Sequence, residues 1–117
     1  MILKFAETED EIRQCFTVMA ELRTNLKDAN DFVARVFRQK QHAGYKIAYL
    51  KDNNQVKSAA GIRIMENLAW GKFLYVDDLV TLSSARSKGY GQKLFDWLID
   101  YAKENSCDEF HLDSGVQ

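Results

Sequence analysis

The chain has 117 residues, 46% of them apolar and 28% charged, and a formal net charge of −1. That length predicts one domain spanning 1–117 with an ordinary soluble core. The near-neutral balance argues against nucleic acid as a partner, and no apolar run approaches the roughly 20 residues that cross a membrane. Met1 to Phe5 is too short for a signal peptide, so a cytoplasmic location is expected. Cys15 and Cys107 stand far apart and in no Cys-x-x-Cys spacing. Neither a disulfide nor a metal site is expected from them, and His42 and His111 add no metal-ligand spacing.

In chain order, Ile2 to Ala6 predicts a short strand. Thr8 then stands three residues before Glu11, the spacing of a capping box. Behind it Ile12, Cys15, Phe16 and Met19 recur at helical spacing, which predicts one helix from Glu9 to Leu22. Arg23 to Asn30 is polar and predicts a loop. A second helix follows, capped by Asp28 or Asn30, with Phe32, Val33, Val36 and Phe37 on one side and Gly44 at its end. Tyr45 to Leu50 predicts a strand, Asp52-Asn53-Asn54 a hairpin turn, and Val56 to Met65 the returning strand. Glu66 to Lys72 predicts a loop. Phe73 to Leu82 is a long apolar strand interrupted only by Asp77 and Asp78. A third helix, Gln92 to about Lys103, buries Leu94, Phe95, Leu98, Ile99 and Ala102, and Glu109 to Leu112 is a last short strand. The order β-α-α-β-β-β-α-β predicts a mixed α/β (α+β) fold with helices flanking one sheet.

Between the long strand and the third helix lies Arg86-Ser87-Lys88-Gly89-Tyr90-Gly91. A strand, a glycine loop and a helix start together make a site for phosphate. The first amides of a helix lack intrahelical acceptors, and the helix dipole adds partial positive charge there. Gly89 and Gly91 carry no Cβ, so an anion can approach the backbone. Arg86 and Lys88 add full positive charges. Arg86 either meets a phosphate or bonds loop carbonyls, Ser87 either donates its hydroxyl or is a small exposed residue, and Tyr90 is expected in the core. The loop has neither the Walker pattern nor the dinucleotide pattern, so a generic nucleotide site is the weaker reading.

Arg86-x-x-Gly89-x-Gly91 matches the signature of the GNAT N-acetyltransferases. Alone the motif is moderately specific. Its place between the fourth strand and the third helix, the element order, and the segment Tyr75 to Leu82 extend the resemblance over essentially all 117 residues. The resemblance implies an acyl-CoA N-acyltransferase fold with a mostly antiparallel mixed sheet. It implies acetyl-CoA as cosubstrate and a primary amine of a small molecule or peptide as acceptor. It also implies that the amides of Lys88, Gly89, Tyr90, Gly91 and Gln92 hold the pyrophosphate, with Arg86 and Ser87 beside them and Lys88 near the adenosine 3′-phosphate. The backbone of Val80, Thr81 and Leu82 would pair with the pantetheine arm, with the amide of Leu82 or Val80 facing the thioester carbonyl.

An attacking ammonium must first lose a proton, and a carboxylate in the cleft can take it. Adjacent strand residues point to opposite faces, so Asp77 and Asp78 are not expected to share one role. Asp77 occupies a position where related diamine acetyltransferases carry an acidic residue. It is the expected base or amine anchor, with Asp78 second; the competing reading is that one or both sit near the strand's start and bind loop backbone. The two carboxylates favour a cationic amine. Tyr75 shares a face with Asp77 and is a fallback proton donor, while His111 is expected to be structural.

Members of this family usually continue past the fifth strand with a helix, which often bears a thiolate-protonating tyrosine, and two more strands. This chain stops at Gln117. The expectation is a shortened domain with an open sheet edge that self-associates. A non-catalytic acyl-CoA-binding module is the alternative function.

Overall fold

A computed structural model describes residues 1–112; residues 113–117, including the chain end just discussed, lie outside the described residues. The elements are β1 (Ile2–Phe5), α1 (Glu9–Gln14), α2 (Phe16–Leu22), α3 (Ala29–Ala43), β2 (Lys46–Asp52), β3 (Gln55–Asn67), β4 (Gly71–Thr81), a 3-10 turn (Ser83–Ala85), α4 (Tyr90–Glu104) and β5 (Glu109–Leu112). They form one sheet in the order β1-β2-β3-β4-β5. The first four strands are antiparallel neighbours, and β5 lies parallel to β4. A parallel neighbour needs a crossover, which α4 supplies. The expected mixed, mostly antiparallel sheet with flanking helices is therefore present.

Local chemistry sets the element ends. Thr8 Oγ1 accepts from the Glu11 amide at 3.1 Å, and Glu11 Oε1 accepts from the Thr8 amide at 3.2 Å, closing the capping box. The helix expected over 9–22 is two helices, because the chain turns at Cys15. The Cys15 amide bonds the Ile12 carbonyl at 3.0 Å, and its thiol lies buried against the Glu11 carbonyl. That turn lets both short helices bury apolar residues: Ile12 from α1, Val18 and Met19 from α2. Burial pushes the Cys15 thiol up to about 12, so it is an inert core residue. Asp28 caps α3, and Gly44 ends it in the left-handed region. Asn53 and Asn54 both take positive φ, the backbone that a two-residue hairpin with right-handed strand twist requires.

Several boundaries differ from expectation: β2 runs through Asp52, and α4 begins at Tyr90, two residues before Gln92. β3 and β4 run through polar residues that look like loop, because Glu66 pairs with Lys72 and Asn67 with Gly71. The 3-10 turn carries no signal in the sequence.

Apolar residues pack in two layers. Ile12, Met19, Phe32, Val36, Ile47 and Leu50 lie between the sheet and α1–α3. Ala60, Ile62, Leu74, Val76, Leu94 and Leu98 lie between the sheet and α4. The register of β3 against β4 jumps from Gly61↔Asp78 to Ile62↔Val76, leaving Asp77 as the extra residue of a β-bulge. The bulge inverts the alternation. Leu74 and Val76 face α4, whereas Val80 and Leu82, also even-numbered, face α1–α3.

Glu11 ties this frame together beyond its cap. It accepts from Lys4 Nζ at 2.5 Å and from the Glu7 amide at 2.8 Å. The bond from Lys4, then that from the Glu7 amide, lower its carboxyl to about 2. A depressed folded-state value means stability that is present above the usual carboxylate range and lost as pH falls toward about 2. Glu11→Gln keeps an oxygen for the amides but removes the charge. Its thermal midpoint at pH 7 is expected to fall by about 3 °C. Calorimetry from pH 7 down to pH 2 should show the gap between the two proteins closing as the wild-type carboxylate takes up its proton.

Candidate active site

The bulge builds the site. Strict alternation would send Asp77 and Asp78 to opposite faces. Instead the extra residue turns both carboxylates to the wall of one cavity of about 320 Å³, which corrects the expectation of separate faces. Tyr75 joins them there. The opposite wall is a stripe of α3, Phe32, Arg35, Val36 and Gln39, spaced i, i+3, i+4, i+7. Met19, Arg23, Asn25 and Leu26, from α2 and the loop after it, and Tyr45, just before β2, complete the lining.

Each carboxylate has specific side-chain partners. Arg63 on β3 forks onto Asp77, with Nε donating to Oδ2 at 2.8 Å and Nη2 to Oδ1 at 2.7 Å. This two-bond geometry is the strong form of the ion pair, and the bonds to Asp77 raise the guanidinium's proton affinity. Arg23 Nε donates to Asp78 Oδ1 at 2.7 Å, and its Nη2 donates to the Asp77 carbonyl at 2.9 Å. The Tyr45 hydroxyl donates to Asp78 Oδ2 at 2.6 Å. Burial first, and then the Asp78 charge, hold this phenol well above its ordinary pKa, so it stays a neutral donor. The ring needs space over the sheet, and Gly61 provides it: a Cβ there would stand 1.8 Å from the Tyr45 hydroxyl. Gly61 is also the register partner of Asp78.

The partners of Asp77 and Asp78 are thus mainly distant side chains, not loop backbone. The sequence reading placed Tyr45 at the start of a strand and Arg23 in a loop, and gave Arg63 no role. None stands at a motif spacing. The one usable signal was a pair of acids in an apolar strand, which must find cations when half-buried.

The other edge of β4 carries the second half of the site. β5 pairs with Phe73 to Val76, and no described residue pairs with that edge beyond Val76. The Leu82 amide donates to the Lys57 carbonyl at 2.8 Å, and the Val80 carbonyl accepts from Ser58 Oγ at 2.9 Å. Both residues therefore turn their polar backbone toward β3. This corrects the expectation that the amide of Leu82 or Val80 faces the open side. Alternation turns Leu79 and Thr81 outward instead.

Thr81 leads straight to the glycine loop. A Cβ on Gly91 would lie 2.8 Å from Thr81 Oγ1, so glycine lets the start of α4 close on the strand end. Gly89 caps that helix in the left-handed region, with nothing within 4 Å of where its Cβ would be. Ser87 also takes positive φ, a backbone that costs free energy in a residue with a Cβ. Arg86, Ser87, Lys88 and Gly89 are exposed. Tyr90 is buried, as expected, and its hydroxyl donates to Asp52 Oδ2 at 2.9 Å, tying the loop to the β2–β3 hairpin. Gln92 spends its side-chain amide on Asp96, leaving its backbone amide for the loop. Left-handed backbone at Ser87 and Gly89, a helix start whose first amides lack intrahelical acceptors, and two exposed cations fit a pyrophosphate.

His111 stands apart, stacked on Trp70 with ring centres 3.6 Å apart and bonded to Glu109 at 2.7 Å. Among the described residues, no cluster of three or more His, Cys, Asp or Glu side chains is placed to hold a metal, and no helix is long and apolar enough to cross a membrane.

Comparison with known proteins bears on the family and the fold. The family described as "Acetyltransferase (GNAT) family" matches residues 5–117. The uncharacterized N-acetyltransferase YhdJ of Bacillus subtilis is 30% identical over 115 residues, covering 98% of this chain and 80% of that protein. A GNAT family acetyltransferase from Staphylococcus aureus superposes with a TM-score of 0.84 at 21% identity, over 97% of this chain and 85% of its own. A ribosomal-protein-alanine N-acetyltransferase from Brucella melitensis gives 0.83 at 13% identity, over 97% and 80%. With the family matched over nearly the whole chain and the fold shared with its solved members, this protein belongs to the GNAT acetyltransferase family.

Proposed function

We propose that the protein transfers the acetyl group of acetyl-CoA to a primary amine of a small molecule or peptide. One observation carries this reading: the two halves such a reaction needs meet on β4. The acidic bulge at Asp77 and Asp78 adjoins an edge, at Leu79 and Thr81, that runs directly into the glycine-opened start of α4.

The cosubstrate supplies an activated thioester. The amides of Lys88, Gly89, Tyr90, Gly91 and Gln92 receive its pyrophosphate, with Arg86 and Ser87 at the rim and Lys88 toward the adenosine end. The edge from Leu79 to Leu82 takes the pantetheine arm as an added strand. The outward amides of Leu79 and Thr81 are the donors for the arm and for the developing oxyanion. Asp77 anchors the acceptor ammonium and receives its proton directly or through water, with Asp78 second. Each carboxylate oxygen held by an arginine keeps a further lone pair for this contact. In balance, the amine loses a proton and its lone pair forms the bond to the acetyl carbon. The carbon–sulfur bond breaks, and sulfur leaves with the electron pair and takes up a proton. Tyr75, which lines the cavity beside Asp77, is the fallback donor of that proton.

Acetyl-CoA is expected to raise the thermal midpoint where ATP and NAD do not, with about 2.7 kcal/mol of stabilisation at a hundredfold excess over Kd. Gly91→Ala sets a methyl group against Thr81 Oγ1 at the helix start, and its acetyl-CoA affinity should drop about tenfold by titration calorimetry. No selective shift in the wild-type protein would refute the cofactor assignment.

Asp77→Asn should lower kcat about 100-fold while leaving the midpoint shift with acetyl-CoA intact. Unchanged turnover in a folded Asp77→Asn protein would remove Asp77 from the mechanism. Binding of acetyl-CoA with no transfer to any amine of a broad panel would establish the non-catalytic module instead.

A further inference from the structure

We infer that the acceptor is a free α-amino acid with an apolar side chain, held through both of its charges. This names the substrate class of the acetyltransferase reading above and rests on it. Two acids alone would favour a cationic amine, but the cavity lining sets two guanidinium groups, Arg23 and Arg35, against them. Asp77 is matched by Arg63, and Asp78 by Arg23. The α3 wall then adds Arg35. Its Nε reaches Asp31 at 3.2 Å, one turn earlier on the helix, and Asp31 does not line the cavity. A guanidinium has five N–H donors in a planar fork, and this bond uses one of them.

The acceptor therefore faces carboxylates on the β4 wall and a guanidinium on the α3 wall. An ammonium belongs at the bulge, next to the open edge where the acyl group would lie. A carboxylate on the same small molecule belongs at Arg35. A diamine would instead carry its second positive charge toward Arg35 and Arg23, a like-charge contact that selects against it. Beside Asn25 and Gln39 the lining also carries an apolar patch, Met19, Leu26, Phe32 and Val36, which suits an aliphatic side chain. A volume of about 320 Å³ is at the small end for ligand sites, which suits a single amino acid. The product would be the N-acetyl amino acid, with CoA thiol and one proton released.

The test is the rate of CoA thiol release from acetyl-CoA with leucine, leucinamide, 3-methylbutylamine and 1,4-diaminobutane. Leucine should exceed the other three in kcat/KM by at least about tenfold. Leucinamide holds more uncharged amine than leucine at pH 8, so that preference would report the carboxylate and not ease of deprotonation. In Arg35→Gln the ratio of leucine to 3-methylbutylamine should collapse toward one, a change that a merely structural role for Arg35 would not produce. Thiol release with the simple amines at rates equal to or above leucine would overturn the inference while leaving the transferase reading standing. An unchanged ratio in Arg35→Gln would overturn the role of Arg35 and with it the two-charge model. Acetyl-CoA binding without thiol release for any of the four overturns this acceptor assignment; release with other amines would keep the transferase reading, and release with none would end it.

Discussion

One inserted residue, Asp77, organises this molecule. Without the bulge, β4 would alternate strictly, and the residues that seal the two core layers would fall on the wrong sides. Leu74 and Val76 fill the α4 layer, while Val80 and Leu82 fill the opposite one. A bulge also bends and twists its strand. Here it lies just beyond Val76, the last residue of β4 that pairs with β5 among the described residues. The same irregularity thus sets two carboxylates side by side and adjoins a strand edge that no described residue pairs. Both are disadvantages in a purely structural sheet, and bulges of this kind are features of functional sites more than defects.

The acids at the bulge persist because three separate elements answer them. Arg63 comes from the neighbouring strand, Arg23 from the end of α2, and Tyr45 from the entry to β2. Half-buried carboxylates without such partners would neutralise or disrupt the fold. Gly61 is the silent member of this group, since any side chain there would displace Tyr45. Tyr45 in turn donates a proton that burial prevents it from losing. The network leaves Asp77 and Asp78 fixed in direction, which is what positioning an amine requires.

The elements with strong local chemistry were legible in the sequence. The capping box at Thr8, the left-handed Gly44, the paired Asn53 and Asn54, and the glycine loop before α4 each stand where local rules put them. What escaped is non-local or counts residues across strands. The break at Cys15 depends on how α1 and α2 share one buried layer. The bulge depends on register against β3, and no pattern within β4 announces it. The same miscount misassigned the outward amides, because the residues after Asp77 change side. Arg23, Arg63 and Tyr45 lie 55, 14 and 33 positions from the acid each one serves, beyond the reach of any periodicity.

The separation of those partners along the chain carries a final consequence. Arg23 binds both the Asp78 carboxylate and the Asp77 carbonyl, so the segment that roofs the cavity is latched to the backbone of the bulge itself. Glu21, two residues earlier, accepts from the amide and hydroxyl of Ser83, just past the end of β4. The stretch from α2 into the following loop is therefore tied to β4 on both sides of its open edge, at 77–78 and again at 83. Any acceptor that rearranges the Arg23 contact acts on the same strand that presents Leu79 and Thr81 to the donor. Acceptor side and donor side are joined through one continuous strand, β4.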